Sequence, residues 1–249
     1  HIAVHHVDRR GMRSVPFPNY LAEETDPNPV RRGYPGDANE ARRVGLLRVD
    51  DGELTLLELD DPESFQIVGF EFSARGDLLV DSASDTATDR RLYTVAAGHS
   101  APKVLWESRR AERIYTSFDA RWAPEGDAVV VLSDHEDRYG LYRLPLDGAG
   151  ELARLDDPAD DVLSAPTFAS GGLYFEANAQ SPAERHVFRL ANGAAVPEQL
   201  TRSPGQNVAF PAPQGGAVAI VHSDDRTPPE LFVLPAGEST PRRITHSPT

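Results

Sequence analysis

Short apolar runs alternate with polar turns along the whole chain, and one unit of this pattern repeats. Its clearest copy covers residues 119–146, where Trp122 and a Pro-x-Gly-Asp turn precede the apolar run Ala128 to Leu132. A polar loop then leads to Leu141-Tyr142-Arg143-Leu144, in which apolar and polar residues alternate. Both runs predict β-strands.

Three markers place this unit at several points along the chain. The residue four before the turn glycine recurs in steps of 50, 46 and 44 residues, and an aromatic residue of the second run recurs in steps of 49, 46 and 44. A leucine or isoleucine that leads to a turn proline recurs at matching spacing, with one interval of two units. The three sets are Phe72, Trp122, Phe168 and Ala212; Tyr93, Tyr142, Phe188 and Phe232; and Pro62, Pro158, Pro204 and Pro248. A period of about 40–50 residues with several short strands is typical of a β-propeller blade.

We therefore predict an all-β fold of the β-propeller type, with one partial and four full four-stranded blades in a single propeller portion over residues 1–249. The partial blade covers 1–59 around an insertion at 9–43, and the full blades cover 65–107, 114–155, 162–201 and 207–245. His1 to Asp8 alternates like a strand, yet no turn motif precedes it. Because folded proteins avoid an unpaired sheet edge, we expect the polypeptide to extend upstream.

The insertion is polar and punctuated by prolines, and it is too long for a loop between two strands. Such segments are commonly functional, and we expect this one to have a function or to form an interface. After it, Val44 to Val49 and Glu53 to Leu59 predict a hairpin turned at Asp50-Asp51-Gly52.

Composition supports a fold rich in turns. The chain has 21 prolines and 19 glycines, which suit short strands better than long helices. No helical period longer than about two turns stands out, and Leu105 to Ile114 is the best candidate for a helix.

Charge and cysteine content exclude several classes of partner and site. With 25 basic and 39 acidic residues the net charge is −14, so we expect no nucleic-acid partner and no anionic membrane surface. The chain has no cysteine, which excludes disulfides and thiolate metal sites. The longest apolar runs, Ala128 to Leu132 and Ala217 to Val221, are far shorter than the ~20 residues of a membrane span. The compartment stays open, with a soluble, cytoplasmic location favoured.

Three segments resemble a known family. The first is Val15-Pro16-Phe17 to Tyr20, then Arg32 to Asn39, then Val44 to Leu47; the second is the turn Trp122-Ala123-Pro124-Glu125-Gly126-Asp127; the third is Pro228-Pro229-Glu230-Leu231-Phe232 followed by Arg243-Ile244-Thr245. In these segments the chain resembles the dipeptidyl peptidase IV branch of the prolyl oligopeptidase serine peptidases, within the β-propeller that precedes an α/β-hydrolase domain.

The resemblance implies a function for the chain as one part of a larger enzyme. Such a propeller caps the hydrolase active site, admits peptides and excludes folded proteins, and its upstream part recognises the peptide N-terminus. The implied partners are a C-terminal α/β-hydrolase domain of the same polypeptide, about 250 residues long by the usual domain scale, a peptide substrate and a second copy in a homodimer. No cofactor is implied.

Catalytic residues of that family are not found in this chain. A hydrolase would carry Gly-x-Ser-x-Gly on a turn from strand to helix. The nearest match, Gly98-His99-Ser100-Ala101-Pro102, lacks the last glycine and falls in a loop. We assign no catalytic, cofactor-binding, metal-binding or substrate-binding residue.

Other polar groups were weighed as sites. Glu23-Glu24 is similar in type to the paired glutamates with which dipeptidyl peptidases hold a free amine, but it does not match their position, and we interpret it as a solvated loop. His5 and His6 are adjacent in a strand, so they point to opposite faces and cannot share a metal ion. His135 stands in an acidic loop as a single histidine.

The run Asp156-Asp157-Pro158-Ala159-Asp160-Asp161 is acidic enough to attract Ca²⁺. It lacks the glycine and the closing glutamate of a calcium loop. We interpret it as a hydrated turn.

Two other functions compete with this interpretation. A stand-alone protein-binding propeller, similar to the periplasmic translocation-associated kind, predicts a gene that ends near Thr249. A propeller that is itself a lyase or glycosidase would need carboxylates from several blades to converge on the central channel, and the acidic residues here cluster in outer loops.

Overall fold

A computed structural model describes residues 1–21, 23–62, 64–112, 119–146, 151–157, 159–179 and 181–247. Every helix or strand assigned within these ranges is a β-strand, which confirms the predicted all-β class. The chain forms two compact units, residues 1–114 and 115–249. The repeat markers Pro158 and Pro248 and the predicted start of a blade at Ile114 lie outside the described residues.

Among the described residues, nine strands belong to the first unit and twelve to the second. The first unit contains β1 (Ile2–Asp8), β2 (Ser14–Asn19), β3 (Asp26–Arg31), β4 (Ala41–Leu47), β5 (Leu54–Leu56), β6 (Phe65–Phe72), β7 (Leu78–Ser84), β8 (Asp89–Val95) and β9 (Lys103–Arg109). The second contains β10 (Asp119–Trp122), β11 (Ala128–Ser133), β12 (Gly140–Pro145), β13 (Ala153–Arg154), β14 (Thr167–Ala169), β15 (Gly172–Ala177), β16 (His186–Leu190), β17 (Glu198–Gln199), β18 (Gln206–Pro211), β19 (Ala217–Ser223), β20 (Glu230–Pro235) and β21 (Arg242–Arg243).

These strands form five antiparallel sheets and one separate hairpin. Sheet I has the order β1-β4-β5, and sheets II to V are four-stranded in simple chain order, from β6–β9, β10–β13, β14–β17 and β18–β21. One partial and four full four-stranded sheets are therefore present, as predicted. The predicted hairpin after the insertion is confirmed as β4 paired with β5.

The repeated turn explains why each sheet begins in the same way. In sheet III the Gly126 amide donates to the Ala123 carbonyl at 2.8 Å, and Gly126 has a φ of 64°, a left-handed conformation that glycine adopts readily. The chain reverses there so that Trp122 lies opposite Val129. Both side chains are buried, and the turn thereby fixes the register of the first two strands.

The core lies between neighbouring sheets. In the first unit, Val44 and Leu46 of sheet I pack with Leu78 and Val80 of sheet II. Successive strand residues point to opposite faces, so Leu79 and Asp81 belong to the other face of β7. All residues of β7 except Ser84 are buried, so this strand is covered on both faces.

The same arrangement occurs twice in the second unit. One face of β15 presents Leu173 and Phe175 to Val130 and Leu132 of sheet III. The opposite face presents Tyr174 to sheet V, in a cluster that also contains Val187, Leu200, Val218, Ile220 and Leu234. Each fully buried aliphatic or aromatic side chain contributes about 1.5–3 kcal/mol, so both faces of a central sheet stabilise the fold.

The insertion forms a hairpin of its own, with β2 paired to β3. Its prolines face one another, Pro16 opposite Pro29 and Pro18 opposite Pro27. Since proline has no N–H, these must be the pairs that make no hydrogen bonds across the hairpin, and their nitrogens face outward.

The best candidate for a helix, residues 105–114, is not helical in its described part, because Lys103–Arg109 forms β9. Trp106 lies opposite Leu92 of β8 and is buried. The pairing with β8 and the burial of this aromatic residue decide the conformation. Residues 113 and 114 lie outside the described ranges.

A buried ion pair lies within sheet II. Arg90 is fully buried and donates through Nε to Asp81 Oδ1 at 3.0 Å and through Nη2 to Asp81 Oδ2 at 2.7 Å. The Arg90 guanidinium also lies 6.0 Å from the centre of the Trp106 ring. A two-pronged contact of this kind is the strong form of an arginine–carboxylate pair.

Asp81→Ala is expected to lower the free energy of unfolding by about 3–5 kcal/mol, because it leaves the buried Arg90 without its carboxylate. Urea unfolding measures the change. Asp51→Ala is the matched control, since Asp51 pairs with Arg48 in an exposed position, and its cost should stay below about 1 kcal/mol. Equal costs for the two variants would contradict this account of the ion pair.

Candidate functional site

Ser100 follows a tight turn between β8 and β9 rather than a turn from strand to helix. The His99 amide donates to the Ala96 carbonyl at 3.0 Å, and Gly98 has a φ of 76°. Residues 96–100 are exposed. This geometry differs from that of the nucleophile elbow of hydrolases.

Glu23 and Glu24 lie in the connection between β2 and β3, and both are exposed to solvent. Their position at the end of the hairpin is that of a solvated acidic turn.

The histidines of β1 point to opposite faces of sheet I, as predicted from strand geometry. His5 packs edge-on against the Phe70 ring at 6.4 Å, and its pKa is lowered mainly by burial and then by the Arg42 charge. His135 lies edge-on to Tyr142 at 5.7 Å. In the described part of the chain no group of three or more His, Cys, Asp or Glu is placed to hold a metal ion.

The acidic run at 156–161 is held by its own side chains and by arginines. Asp156 is buried. It accepts a hydrogen bond from the Leu141 amide at 2.8 Å and forms an ion pair with Arg154 at 3.0 Å. Desolvation nevertheless raises the pKa of Asp156. Asp161 pairs with Arg138 at 3.1 Å. The carboxylates therefore face different partners, and Pro158 lies outside the described residues.

Three side chains at the edge of sheet IV are arranged in series like a catalytic triad of nucleophile, base and acid, namely Thr201, His186 and Glu184. The Thr201 hydroxyl lies 3.4 Å from His186 Nδ1, and His186 Nε2 lies 2.7 Å from a Glu184 oxygen. However, Thr201 and His186 are both buried, and Thr201 Oγ1 accepts the Val187 amide at 2.9 Å. A nucleophile must reach its substrate, so this group fastens β16 to the residues after β17 instead.

Glu230 anchors the segment that follows the last sheet. Its side chain is fully buried and pairs with Arg243 at 2.9 Å, and it accepts hydrogen bonds from the Thr245 hydroxyl and the Ser247 amide. These bonds, the Thr245 hydroxyl first, lower the pKa of Glu230 to about 2. One carboxylate thus ties residues 243–247 to the start of β20.

A small cavity of about 200 Å³ opens beside β15, between sheets IV and V. Its polar lining includes Glu176 together with Ser164 and Thr167. Glu176 Oε1 accepts the Ala209 amide of β18 at 2.9 Å, and Ser164 Oγ accepts the Glu176 amide at 2.9 Å. This carboxylate joins two neighbouring sheets.

Sequence reasoning missed Glu176 and the roles of Glu230 and Thr201. The available signal was local: Glu176 interrupts the apolar run Leu173 to Ala177 at a position where a strand between two sheets is buried on both faces. Its partner Ala209 is 33 residues away, and no pattern within one repeat identifies it.

The four repeated four-stranded sheets define a propeller portion. Within the described ranges no helix is both long enough and apolar enough to cross a lipid bilayer.

The family model of the dipeptidyl peptidase IV (DPP IV) N-terminal region matches residues 1–229. The chain therefore belongs to this family, which confirms the resemblance drawn from the sequence.

Solved structures agree on the fold. The chain is similar to dipeptidyl peptidase 4 from Porphyromonas gingivalis, with a TM-score of 0.86, 16% identity and coverage of 98% of this chain and 35% of that one. It is also similar to a putative dipeptidyl aminopeptidase IV from Bacteroides ovatus, with a TM-score of 0.85, 13% identity and coverage of 98% and 38%. The chain thus spans little more than a third of each structure. No curated protein matches it.

Glu230→Gln is expected to accelerate hydrogen exchange at the Ile244 and Ser247 amides, because the charge that holds the segment is lost. Since the pKa of Glu230 is lowered from its ordinary 4.5 to about 2, its contribution to stability is complete above pH 4.5 and is lost as the pH falls towards 2.

Exchange measured by mass spectrometry at pH 7 tests the Glu230→Gln variant. Glu238→Gln, which removes an exposed pair with Arg242, should leave these amides unchanged. Equal exchange in Glu230→Gln and the unsubstituted chain would refute the anchor.

Proposed function

We propose that this chain is the non-catalytic β-propeller part of a dipeptidyl-peptidase-IV-like serine peptidase. It gates and orients peptide substrates for an α/β-hydrolase domain of the same polypeptide. The observation that carries the proposal is the family match over residues 1–229. The propeller restricts access by size, so peptides reach the hydrolase domain and folded proteins do not.

Physical features of the chain suit this role. Within each of the two units, close-packed sheets resist deformation, which suits a part that positions substrates. The net charge of −14 attracts peptides whose free amine is cationic and raises their local concentration. The hydrolytic step itself requires residues that this chain does not supply in its described part.

The 249-residue chain alone should not hydrolyse a chromogenic dipeptide amide with proline in the second position, whereas the full polypeptide should. Absorbance of the released chromophore measures both. Thr201→Val interprets any turnover that is observed with the chain. A hydroxyl that only fastens strands cannot change that turnover, whereas a nucleophile would. Turnover by the chain that disappears in Thr201→Val would move catalysis into this propeller.

The gating role needs a separate measurement on the full polypeptide. It should cleave a proline-containing peptide efficiently and leave the same sequence intact when it forms the N-terminus of a folded protein. Equal cleavage of both would contradict size selection. A reading frame that ends near Thr249 would instead support the alternative, a stand-alone protein-binding propeller.

We also propose that hairpin β2–β3 contacts a second copy of the chain. Phe17, Tyr20 and Leu21 are 53, 79 and 98% exposed, which is unusual for large apolar side chains so close together. Phe17→Asp with Leu21→Asp should convert a dimer to a monomer in light scattering. The control variant, Val49→Asp with Val196→Asp, changes two exposed residues outside the hairpin and should leave the dimer intact. A wild-type chain that is monomeric at high concentration would refute this contact.

A further inference from the structure

Four carboxylates are buried within the described residues, and three of them meet an arginine. The pairs are Asp81 with Arg90 at 2.7 Å, Asp156 with Arg154 at 3.0 Å and Glu230 with Arg243 at 2.9 Å. The fourth, Glu176, is 6% exposed and makes no ion pair with the described residues.

The contacts of Glu176 do not balance its charge. Its side chain accepts one hydrogen bond, from the Ala209 amide to Oε1. A buried carboxylate is costly unless it is paired with a cation or fully hydrogen-bonded. The three other buried carboxylates among the described residues follow that rule with arginine, and no described residue supplies a positive group to Glu176.

The cavity beside Glu176 can admit such a group. It measures about 200 Å³ and is partly open to solvent. Ser164 and Thr167, which carry hydroxyls, line it together with Glu176. Ser164 Oγ accepts the Glu176 amide, and a hydroxyl oxygen has a second lone pair with which to accept again.

We propose that this cavity binds a primary alkylammonium group, with Glu176 as its counter-ion and Ser164 and Thr167 as further hydrogen-bond acceptors. An ammonium ion has three donors, and the cavity offers three acceptors of this kind. A guanidinium is planar and favours two-pronged contact with a single carboxylate, whereas the oxygen-bearing side chains here belong to three separate residues. A divalent metal ion would need more carboxylate or carbonyl ligands.

The ammonium can come from a lysine side chain or from the amino terminus of a peptide. Both present the same chemistry to Glu176. This site does not depend on the proposed peptidase role, because it rests only on contacts within the second unit.

The Ala209 amide is a direct reporter of binding, because it donates to the Glu176 carboxylate. In a titration of the ¹⁵N-labelled chain at constant ionic strength, n-butylammonium chloride should shift the Ala209 resonance saturably. N-acetyl-lysine amide and glycinamide then distinguish the two sources, and saturation with either supports the site. The same shift with sodium or potassium chloride at equal concentration would assign a metal cation instead and overturn the ammonium proposal.

Glu176→Gln keeps the side-chain volume and removes the charge, and it should weaken n-butylammonium binding about tenfold or more. Glu198→Gln is the matched control, because it makes the same change at an exposed position of sheet IV and should bind as the unsubstituted chain does. If Glu176→Gln fails to fold, Ser164→Ala and Thr167→Val provide the test, each with an expected weakening of about threefold. Unchanged binding in Glu176→Gln, or in both hydroxyl variants, would overturn the proposal, as would no Ala209 shift with any amine.

Discussion

The fold depends on strands that are buried on both faces at once. β7, β11 and β15 are buried along nearly their whole length, and such strands cannot be stable in a single isolated sheet. Each sheet must therefore pack against neighbours, and the repeat length of 44–50 residues supplies them in sequence. Radial or stacked repeats are stable for this reason, since each interface buries what one repeat cannot.

The same constraint determines where polar groups can be placed. A carboxylate on a strand that is buried on both faces is desolvated. Its free-energy cost must be offset by a cation or by hydrogen bonds. Arg90 compensates Asp81 within one sheet, whereas the side chain of Glu176 in sheet IV receives only one hydrogen bond from the described residues, donated by a backbone amide of sheet V. Apolar packing thus provides the stability of the repeats, and these few polar contacts add local specificity.

Much of this could be predicted from the sequence, because the signals are local. The turn around Gly126 and the alternation of Leu141 to Leu144 are each recognisable from a few consecutive residues. Both recur at intervals of 44–50 residues along the chain. The contacts of Glu176, Glu230 and Thr201 could not be predicted, since each depends on side chains brought together by tertiary or long-range pairing. Prolines also obscured hairpin β2–β3, because a strand rich in proline does not match the usual strand pattern.

The facing prolines of this hairpin affect what it can bind. Pro16, Pro18, Pro27 and Pro29 have no N–H, so at these positions they cannot donate to an extended peptide that would add itself as another strand. At these four positions hairpin β2–β3 offers no backbone donor to another chain, so a partner there must contact its carbonyl oxygens or its side chains.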